Sequence, residues 1–465
     1  MASLLLELLQ CRLMVFFICV TCIGPPFQFG FHISVVSAPA EYIKDFINQT
    51  WIHRYGVPTP DETLTLLWSL TVSIFSIGGL LGSLASGFLI RRYGKSRCML
   101  CNNLVTLGAS MIIGFSKMAG SFEMILVGRF LFGITSAAGI NVSMLYLGEI
   151  APKKLRGLTN TAGPVFATSG KLFGLLFGLR EALGRESLWP FLMSICGVTS
   201  ALQLATFPFV PDTPPHLLLV KNDKEGCMKA MKKLWGDGNH QAEIEDLINE
   251  QNSRKNTKIQ SFLEIMQDRS LRLQLCVLTV LIITLQFGGA NAIYFYAYDV
   301  FQQAGFSQDR IPYIAIGIGG CEILGALLCD AYYWVPYCSV VLIFCHILSS
   351  GLGPGGVTLS LSLEILTQAA RPSAFTFTST LSWAGLYIIG LIFPFMVKSM
   401  GHFCFLLFLG IIVASSIFLF LILPETKGKS ITEITDEFNR IQCGKICCHG
   451  TAEGTPPDHV TCTRF

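Results

Sequence analysis

The chain has 465 residues, of which 52% are hydrophobic and 14% are charged, and its mean hydropathy is +0.56. Because about a quarter of the residues of a soluble domain are charged, this composition excludes a soluble globular protein and indicates that lipid surrounds much of the surface. The formal net charge of +3 is too small to indicate a nucleic-acid-binding protein.

A helix needs about 20 apolar residues to cross a bilayer, and eleven apolar stretches follow one another along the chain. Six precede a polar region, at 13–36, 63–90, 98–118, 122–148, 158–180 and 188–210. Five follow it, at 272–303, 311–329, 335–363, 373–397 and 402–423. The sequence therefore predicts a multi-pass membrane protein with a cytosolic N-terminus (1–12), a six-helix bundle (13–210), a cytosolic helical linker (211–271), a second bundle of about five spans (272–423) and a tail (424–465).

Basic residues predict the orientation of these spans. The loop Arg91–Arg97 and the segment Lys153–Arg156 follow the second and fourth spans, and the basic linker follows the sixth. Since cytosolic loops are enriched in Lys and Arg, these segments are expected on the cytosolic side. The acceptor motif Asn48-Gln49-Thr50 then lies on the exofacial side, which predicts glycosylation at Asn48.

The two halves share a charged motif at matching positions. Glu149 and Arg156 are seven residues apart, and Glu364 and Arg371 repeat that spacing 215 positions later. Internal repeats of this kind are typical of transporters with the substrate site between the halves. Charged residues at membrane depth are costly unless they are paired. We expect these residues to form cytosolic locks that break when the halves rock; a static interface ion pair is the alternative.

Several motifs together resemble one transporter family. They are Phe27–Gly30, Gly87–Arg97, Gly128–Gly133, Glu149–Gly157, Pro211–Leu218, Gln286 with Asn291, Gly353-Pro354, Glu364 with Arg371, and Pro424–Gly428. The chain resembles the facilitative hexose transporters, in the sugar-porter branch of the major facilitator superfamily, and especially their fructose-type class. The resemblance implies an all-α membrane protein with the major facilitator fold, two six-helix repeats in the cell membrane, and transport of glucose or fructose by alternating access.

A sugar site requires amides, a few hydroxyls and an aromatic side chain, because a hexose offers hydroxyl groups and an apolar ring face. Gly288-Gly289 is expected to break the seventh span beside such residues. That span supplies Gln286, Asn291 and Tyr294 as candidate sugar contacts. The resemblance implies that Gln286 and Asn291 are the sugar-binding amides, and it adds Trp383 and Glu322, the latter standing where the family usually has an asparagine. For each of them an interhelical hydrogen bond is the alternative role. The residues expected to act in gating are Arg92, Arg129, Glu149, Arg156, Glu364 and Arg371.

Two further residues bear on the mechanism. From Arg12 to Pro39 there is no carboxylate and only His32 could titrate. A neutral hydrogen-bonding role is expected for His32, with titration as the alternative, and the sequence therefore predicts passive uniport. Lys171 lies deep in the fifth span, where a lysine costs about 3 kcal/mol unless it pairs, and Glu322 is a candidate partner.

One part of the second repeat is short. Gln28 and Glu149 are 121 residues apart, but the corresponding Gln286 and Glu364 are only 78 apart. From 311 to 370 there is no Lys or Arg. The sequence therefore predicts that about one span, the ninth, is missing. A transport-incompetent shortened form of the same fold is the alternative to an active hexose transporter.

No motif predicts an enzyme, because the sequence has no nucleophile–base pair or glycine-rich phosphate loop. No cofactor and no metal are expected. The tail contains Cys443, Cys447, Cys448, His449, His459 and Cys462, whose spacing matches no common zinc site. The predicted partners are a hexose and the lipid bilayer.

Overall fold

The computed structural model describes most of the chain and consists of helices and their connections. The described residues are 12–152, 155–206, 213–219, 223–236, 241, 243–245, 248, 262–303, 311–318, 365, 370–400, 403–423, 434 and 438. The predicted span 335–363, the end of the span 311–329, and nearly all of the tail lie outside them.

The N-terminal half is built from nine described helices. They are α1 (Arg12–Cys22), α2 (Pro25–Ser34), α3 (Ala40–Tyr55), α4 (Asp61–Tyr93), α5 (Lys95–Phe115), α6 (Glu123–Ile150), α7 (Arg156–Phe177), α8 (Trp189–Ser194) and α9 (Cys196–Thr206). Two predicted spans are each divided into two helices. Pro25 and Pro26 begin α2, where the missing N–H groups are tolerated. Ser194 donates to the Pro190 carbonyl just before the interruption at Ile195, a bond that commonly bends a helix.

The linker and the C-terminal half contribute the remaining described helices. They are α10 (Pro214–Leu219), α11 (Lys224–Trp235), α12 (Phe262–Gln267), α13 (Arg269–Phe287), α14 (Ala290–Phe295), α15 (Ala297–Gln303), α16 (Arg371–Met400) and α17 (Cys404–Ile422). Residues 311–318 are also helical. Within the described part of the chain, seven segments are long and apolar enough to cross a membrane.

Glycines allow the helices of the N-terminal half to approach each other closely. A Cβ added at Gly78 or Gly82 of α4 would overlap the carbonyl of Phe130 or Ile134 in α6. The same holds between α2 and α7, where a Cβ at Gly30 would overlap the Ala167 carbonyl. Small residues at such contacts let two backbones touch, which is the usual basis of helix association in membranes.

The two halves meet through α4 and α16. The Ser83 and Ser379 hydroxyls are 2.7 Å apart, and the ring of Trp383 packs over Gly79. A large buried cluster continues across this contact and includes Phe31, Phe75, Phe132, Tyr294, Tyr296, Trp383 and Phe393. The aromatic cluster therefore joins both halves around the middle of the molecule.

Candidate functional site

The predicted amides of the C-terminal half come together at the break in the seventh span. Gly289 has φ of +89°, a conformation that glycine adopts without strain, and it separates α13 from α14 as the glycine pair predicts. The Asn291 side chain thereby folds back, and its Nδ2 donates to Gln286 Oε1 at 2.9 Å. Gln286 Nε2 in turn donates to the Ser382 hydroxyl on α16 at 2.7 Å. We call Gln286, Asn291 and Ser382 the amide network.

Trp383 follows Ser382 in the chain, and its side chain contacts the N-terminal half. Its ring is 5.6 Å from Phe29 and 5.9 Å from Phe75 between ring centroids, in edge-on geometry. A Cβ at Gly79 would overlap the Trp383 ring. The indole therefore occupies a groove that only a glycine leaves open, and it closes the interface beside the amide network. Its predicted role as a sugar contact stays a prediction.

Tyr294 and Lys171 form a second contact between the halves. Tyr294 is on α14, one turn after Asn291, and is buried. The Lys171 Nζ, on α7, lies 4.6 Å from the centroid of the Tyr294 ring. Such a cation–π contact stabilises by about 0.5–2 kcal/mol, more when it is away from water. The candidate partner predicted for Lys171, Glu322, lies outside the described residues.

Arg129 is fully buried inside the N-terminal half. Its guanidinium donates to three backbone carbonyls, those of Thr71 at 3.0 Å, Val72 at 3.1 Å and His32 at 3.2 Å, and it lies over the Phe75 ring. These bonds tie α2, α4 and α6 together. Because each of the three acceptors belongs to the N-terminal half, the geometry indicates a bundle-stabilising role, and the predicted gating role stays a prediction.

His32 is buried among aromatic rings. Its ring centroid lies 4.0 Å from that of Phe132 and 5.8 Å from that of Phe75. Neither ring nitrogen has a hydrogen-bond partner among the described residues. The side chain thus packs as an aromatic in the described structure, whereas the sequence suggested a hydrogen-bonding or titrating residue.

The end of the bundle that carries Arg92 and Lys95, here called the basic end, contains an ion pair within the N-terminal half. The Lys95 ammonium pairs with the Glu149 carboxylate, which also accepts from the Thr213 hydroxyl at 2.8 Å. Sequence reasoning identified Glu149 but missed Lys95, although Lys95 lies in the basic loop used for orientation. Arg92 is exposed and lies 5.9 Å from the Tyr93 ring centroid.

Three other predicted gating residues cannot be placed in this network. The side chains of Arg156 and Arg371 are outside the described part of the structure, although α7 and α16 begin at these residues. Glu364 lies outside it altogether. The predicted pairing of these residues therefore stays a prediction.

The opposite end, which carries Asn48 and is here called the sequon end, has polar contacts that the sequence did not reveal. Lys44 Nζ lies 3.0 Å from Asp299 Oδ1 and 5.3 Å from the centroid of the Trp68 ring. The Tyr313 hydroxyl donates to Glu181 at 2.9 Å. Hydrogen bonds from the Glu181 backbone and from Tyr313 lower the pKa of the Glu181 carboxyl below its ordinary value. Both side-chain contacts join the N-terminal half to the C-terminal half.

A further ion pair at the sequon end remains within one half. Arg54 on α3 pairs with Glu123 at the start of α6. Asn48, the predicted glycosylation site, is on α3 and is partly exposed; its Oδ1 accepts from the Thr59 backbone amide at 3.0 Å. This bond involves the oxygen of the amide, whereas a glycan attaches to the nitrogen.

Among the described residues, a small cavity lies between the halves at the sequon end. Its volume is about 40 Å³, enough for a few water molecules. Residues lining it include Ala38, Glu41, Arg180, Tyr298 and Ala315. The described residues of the two halves therefore lie against each other at the sequon end.

Comparison with known proteins identifies relatives over nearly the whole chain. The sequence profile of the sugar (and other) transporter family matches residues 17–328 and 313–438. Human solute carrier family 2, facilitated glucose transporter member 11 is 38% identical over 469 residues, covering 94% of this chain and 95% of that protein. Mouse member 9 is 37% identical over 89% of this chain and 84% of that protein, and sheep member 5 is 35% identical over 89% and 90%.

Solved structures show the same fold. The inward open conformation of the xylose transporter XylE from E. coli has a TM-score of 0.71, with 17% identity over 91% of this chain and 99% of that chain. The proton:xylose symporter XylE bound to 6-bromo-6-deoxy-D-glucose has the same values. The fold is thus the major facilitator fold, as predicted, and the relatives are transporters rather than enzymes.

Proposed function

Because this chain belongs to the sugar (and other) transporter family, we propose that it carries a hexose, glucose or fructose, across the cell membrane by facilitated uniport. The observation that carries the proposal is the amide network beside Trp383, placed where the two halves meet. A primary amide has two N–H donors and an oxygen with two lone pairs. The bonds within the network use only part of this capacity, so hexose hydroxyls can be bound by the same groups.

The position of Trp383 couples sugar binding to movement of the halves. The amide network belongs to the C-terminal half, while the Trp383 ring rests against Phe29, Phe75 and Gly79 of the N-terminal half. A sugar that enters between the halves must displace the indole from this groove. Rocking of the halves then exposes the amide network to one side of the membrane at a time, which is alternating access.

The charge distribution of the first span favours uniport. Residues 12–39 contain no carboxylate, and His32 is enclosed by aromatic rings. The XylE structures belong to a proton symporter, but at 17% identity they inform the fold alone. We therefore propose that no proton gradient drives transport through this chain.

The charge rule assigns the two ends of the bundle to the two sides of the membrane. In this proposal the basic end is cytosolic and the sequon end is exofacial. Asn48 then carries the glycan in a partly exposed position. The gating residues Arg156, Glu364 and Arg371 are proposed to meet Glu149 at the cytosolic end.

A second candidate function follows from the short second repeat. The family profile matches in two pieces that overlap at 313–328. The alignment with the human relative is 469 positions long. It includes 94% of the 465 residues of this chain, which is about 437, so about 32 positions of the relative have no counterpart here. That length corresponds to a span and its loop, a span being about 20 residues. These observations support a chain without the ninth span, which is proposed as a transport-incompetent form of the fold.

Uptake by purified protein in liposomes tests the two candidates. We expect saturable uptake of labelled glucose or fructose that is unchanged by a pH gradient. Gln286→Leu, which breaks the amide network, should lower kcat/KM about tenfold because a desolvated hydrogen bond to the sugar is lost. Thr279→Val is the matched control, since the Thr279 hydroxyl bonds only within α13 in the described structure.

The outcome also separates the two candidates. Uptake equal to that of empty liposomes, from protein that is monodisperse in detergent, rejects the uniporter and favours the transport-incompetent form. An epitope tag at the C-terminus tests the number of spans independently, because a tag accessible from outside intact cells requires an odd total.

A further inference from the structure

The helix pair α14–α15 has partners in both halves. Gly289 with its positive φ precedes α14, and a second interruption at Tyr296 separates α14 from α15. Toward its own half, the Tyr296 hydroxyl donates to the Gly390 carbonyl and its ring stacks on Phe393. The interruption at Gly289 lets the pair move as a short unit relative to α13.

Toward the other half, the same helix pair contacts two lysines. Lys171 of α7 lies over the Tyr294 ring, and Lys44 of α3 pairs with Asp299. Tyr294 lies on α14 and Asp299 lies on α15, so the two contacts hold both helices of the unit. We name Lys44, Lys171, Tyr294 and Asp299 the lysine clasp.

We propose that the lysine clasp closes the exofacial side of the transporter and that Lys44 and Lys171 are positioning residues of the transport cycle. The inference rests on the proposed alternating access. Opening toward the outside separates α14–α15 from α3 and α7, so both lysine contacts must break, whereas the Tyr296 contacts within the C-terminal half persist.

The exposure of the Lys44–Asp299 pair makes this part of the clasp suited to repeated opening. The side chains of Lys44 and Asp299 are 27% and 29% exposed, so water can solvate the separated charges. An ion pair of this kind contributes modestly to stability. It shifts a conformational equilibrium by a small factor and does not lock it permanently.

Cysteine labelling from outside intact cells measures the opening directly. Ala38 lines the small cavity between the halves at the sequon end, so Ala38→Cys reports exofacial opening with a membrane-impermeant maleimide. In this background we expect Lys44→Met and Asp299→Asn each to raise the labelling rate roughly fivefold. Lys171→Met should also raise it, and Lys171→Arg should not, because an arginine preserves the cation–π contact.

Charge reversal distinguishes the ion pair from general structural damage. The double variant Lys44→Asp with Asp299→Lys should return the labelling rate to within about twofold of the parent. Glu123→Gln is the matched control, because the Arg54–Glu123 pair lies at the same end but within one half. The chain without Ala38→Cys measures labelling of native cysteines.

The proposal is overturned if Lys44→Met and Asp299→Asn, present at the cell surface, label at the parent rate, or if charge reversal fails to restore it. Should Lys44→Met not reach the surface, the nearly isosteric Asp299→Asn decides alone. Labelling requires no sugar. Variants that respond as expected in a chain without uptake would therefore support the clasp while rejecting the proposed transport function.

Discussion

Helix α4 has two packed faces, and neighbouring glycines show how they differ. A Cβ at Gly78 would overlap the backbone carbonyl of Phe130 within the same half, while a Cβ at Gly79 would overlap the Trp383 side chain of the other half. The first obstacle is a helix backbone that cannot yield. The second is an indole that can rotate or withdraw as the halves part. Contacts within a half therefore build the bundle, and contacts between halves set its conformational equilibrium.

The ion pairs at the two ends repeat this difference. At the basic end, Lys95–Glu149 connects α5 and α6 of one half, and Thr213 adds a bond from the linker. At the sequon end, Lys44–Asp299 connects α3 and α15 of different halves. The pairs have similar chemistry and similar exposure, so their different roles follow from which helices they join.

The largest expected effect comes from breaking the contact within the half. Gly78→Val places two methyl groups and a Cβ against the α6 backbone, and we expect a loss of about 1–3 kcal/mol or failure to fold. Thermal unfolding of detergent-purified protein, followed by size-exclusion chromatography, measures this effect. Gly87→Ala is the control, because no atom lies within 4 Å of its added Cβ. Equal melting temperatures for the two variants would contradict the comparison.

At the neighbouring Gly79 we expect a smaller effect on stability and a clear effect on hexose uptake. Gly79→Ala pushes against the Trp383 ring, so the halves cannot close fully, and hexose uptake should fall about tenfold with little change in melting. Trp383→Ala removes the obstacle. If the Trp383 ring causes the loss of uptake in Gly79→Ala, adding Gly79→Ala to Trp383→Ala should lower uptake almost no further. Uptake assays of the parent, the two single variants and the double variant measure this non-additivity. Additive losses would show that the two residues act separately.

The smallest effect is expected at the basic-end ion pair. Glu149→Gln should destabilise the protein by about 0.5–1 kcal/mol, because the pair is partly exposed. Lys95→Met should have the same effect on melting, and the double variant should add little to either. Labelling at Ala38→Cys in the Lys95→Met variant should equal that of the parent, unlike labelling of the Lys44 and Asp299 variants, because Lys95 is not among the proposed gating residues. A labelling change at Lys95→Met would mean that this ion pair also controls opening.

Much of the candidate site could be predicted because its signals are local. Gln286 and Asn291 lie five positions apart around a glycine pair, and the left-handed Gly289 brings their amides together. Trp383 was expected near the site, but its contact with Gly79 was not, since nothing in the sequence relates α4 to α16. The partners of Lys44 and Lys171 were missed for the same reason: Lys44 and Asp299 are 255 positions apart.

The sequence by itself determined that helices cross a bilayer, that the seventh span breaks at its glycine pair, and which family the chain resembles. These properties depend on hydrophobicity, glycine and motifs within short stretches. Only the tertiary structure decided that Arg129 binds backbone carbonyls of its own half, that His32 packs among rings, and that two lysines reach across to α14–α15. The physical reason is that apolar faces of membrane helices are alike in lipid, so partners are selected by shape and by paired charges.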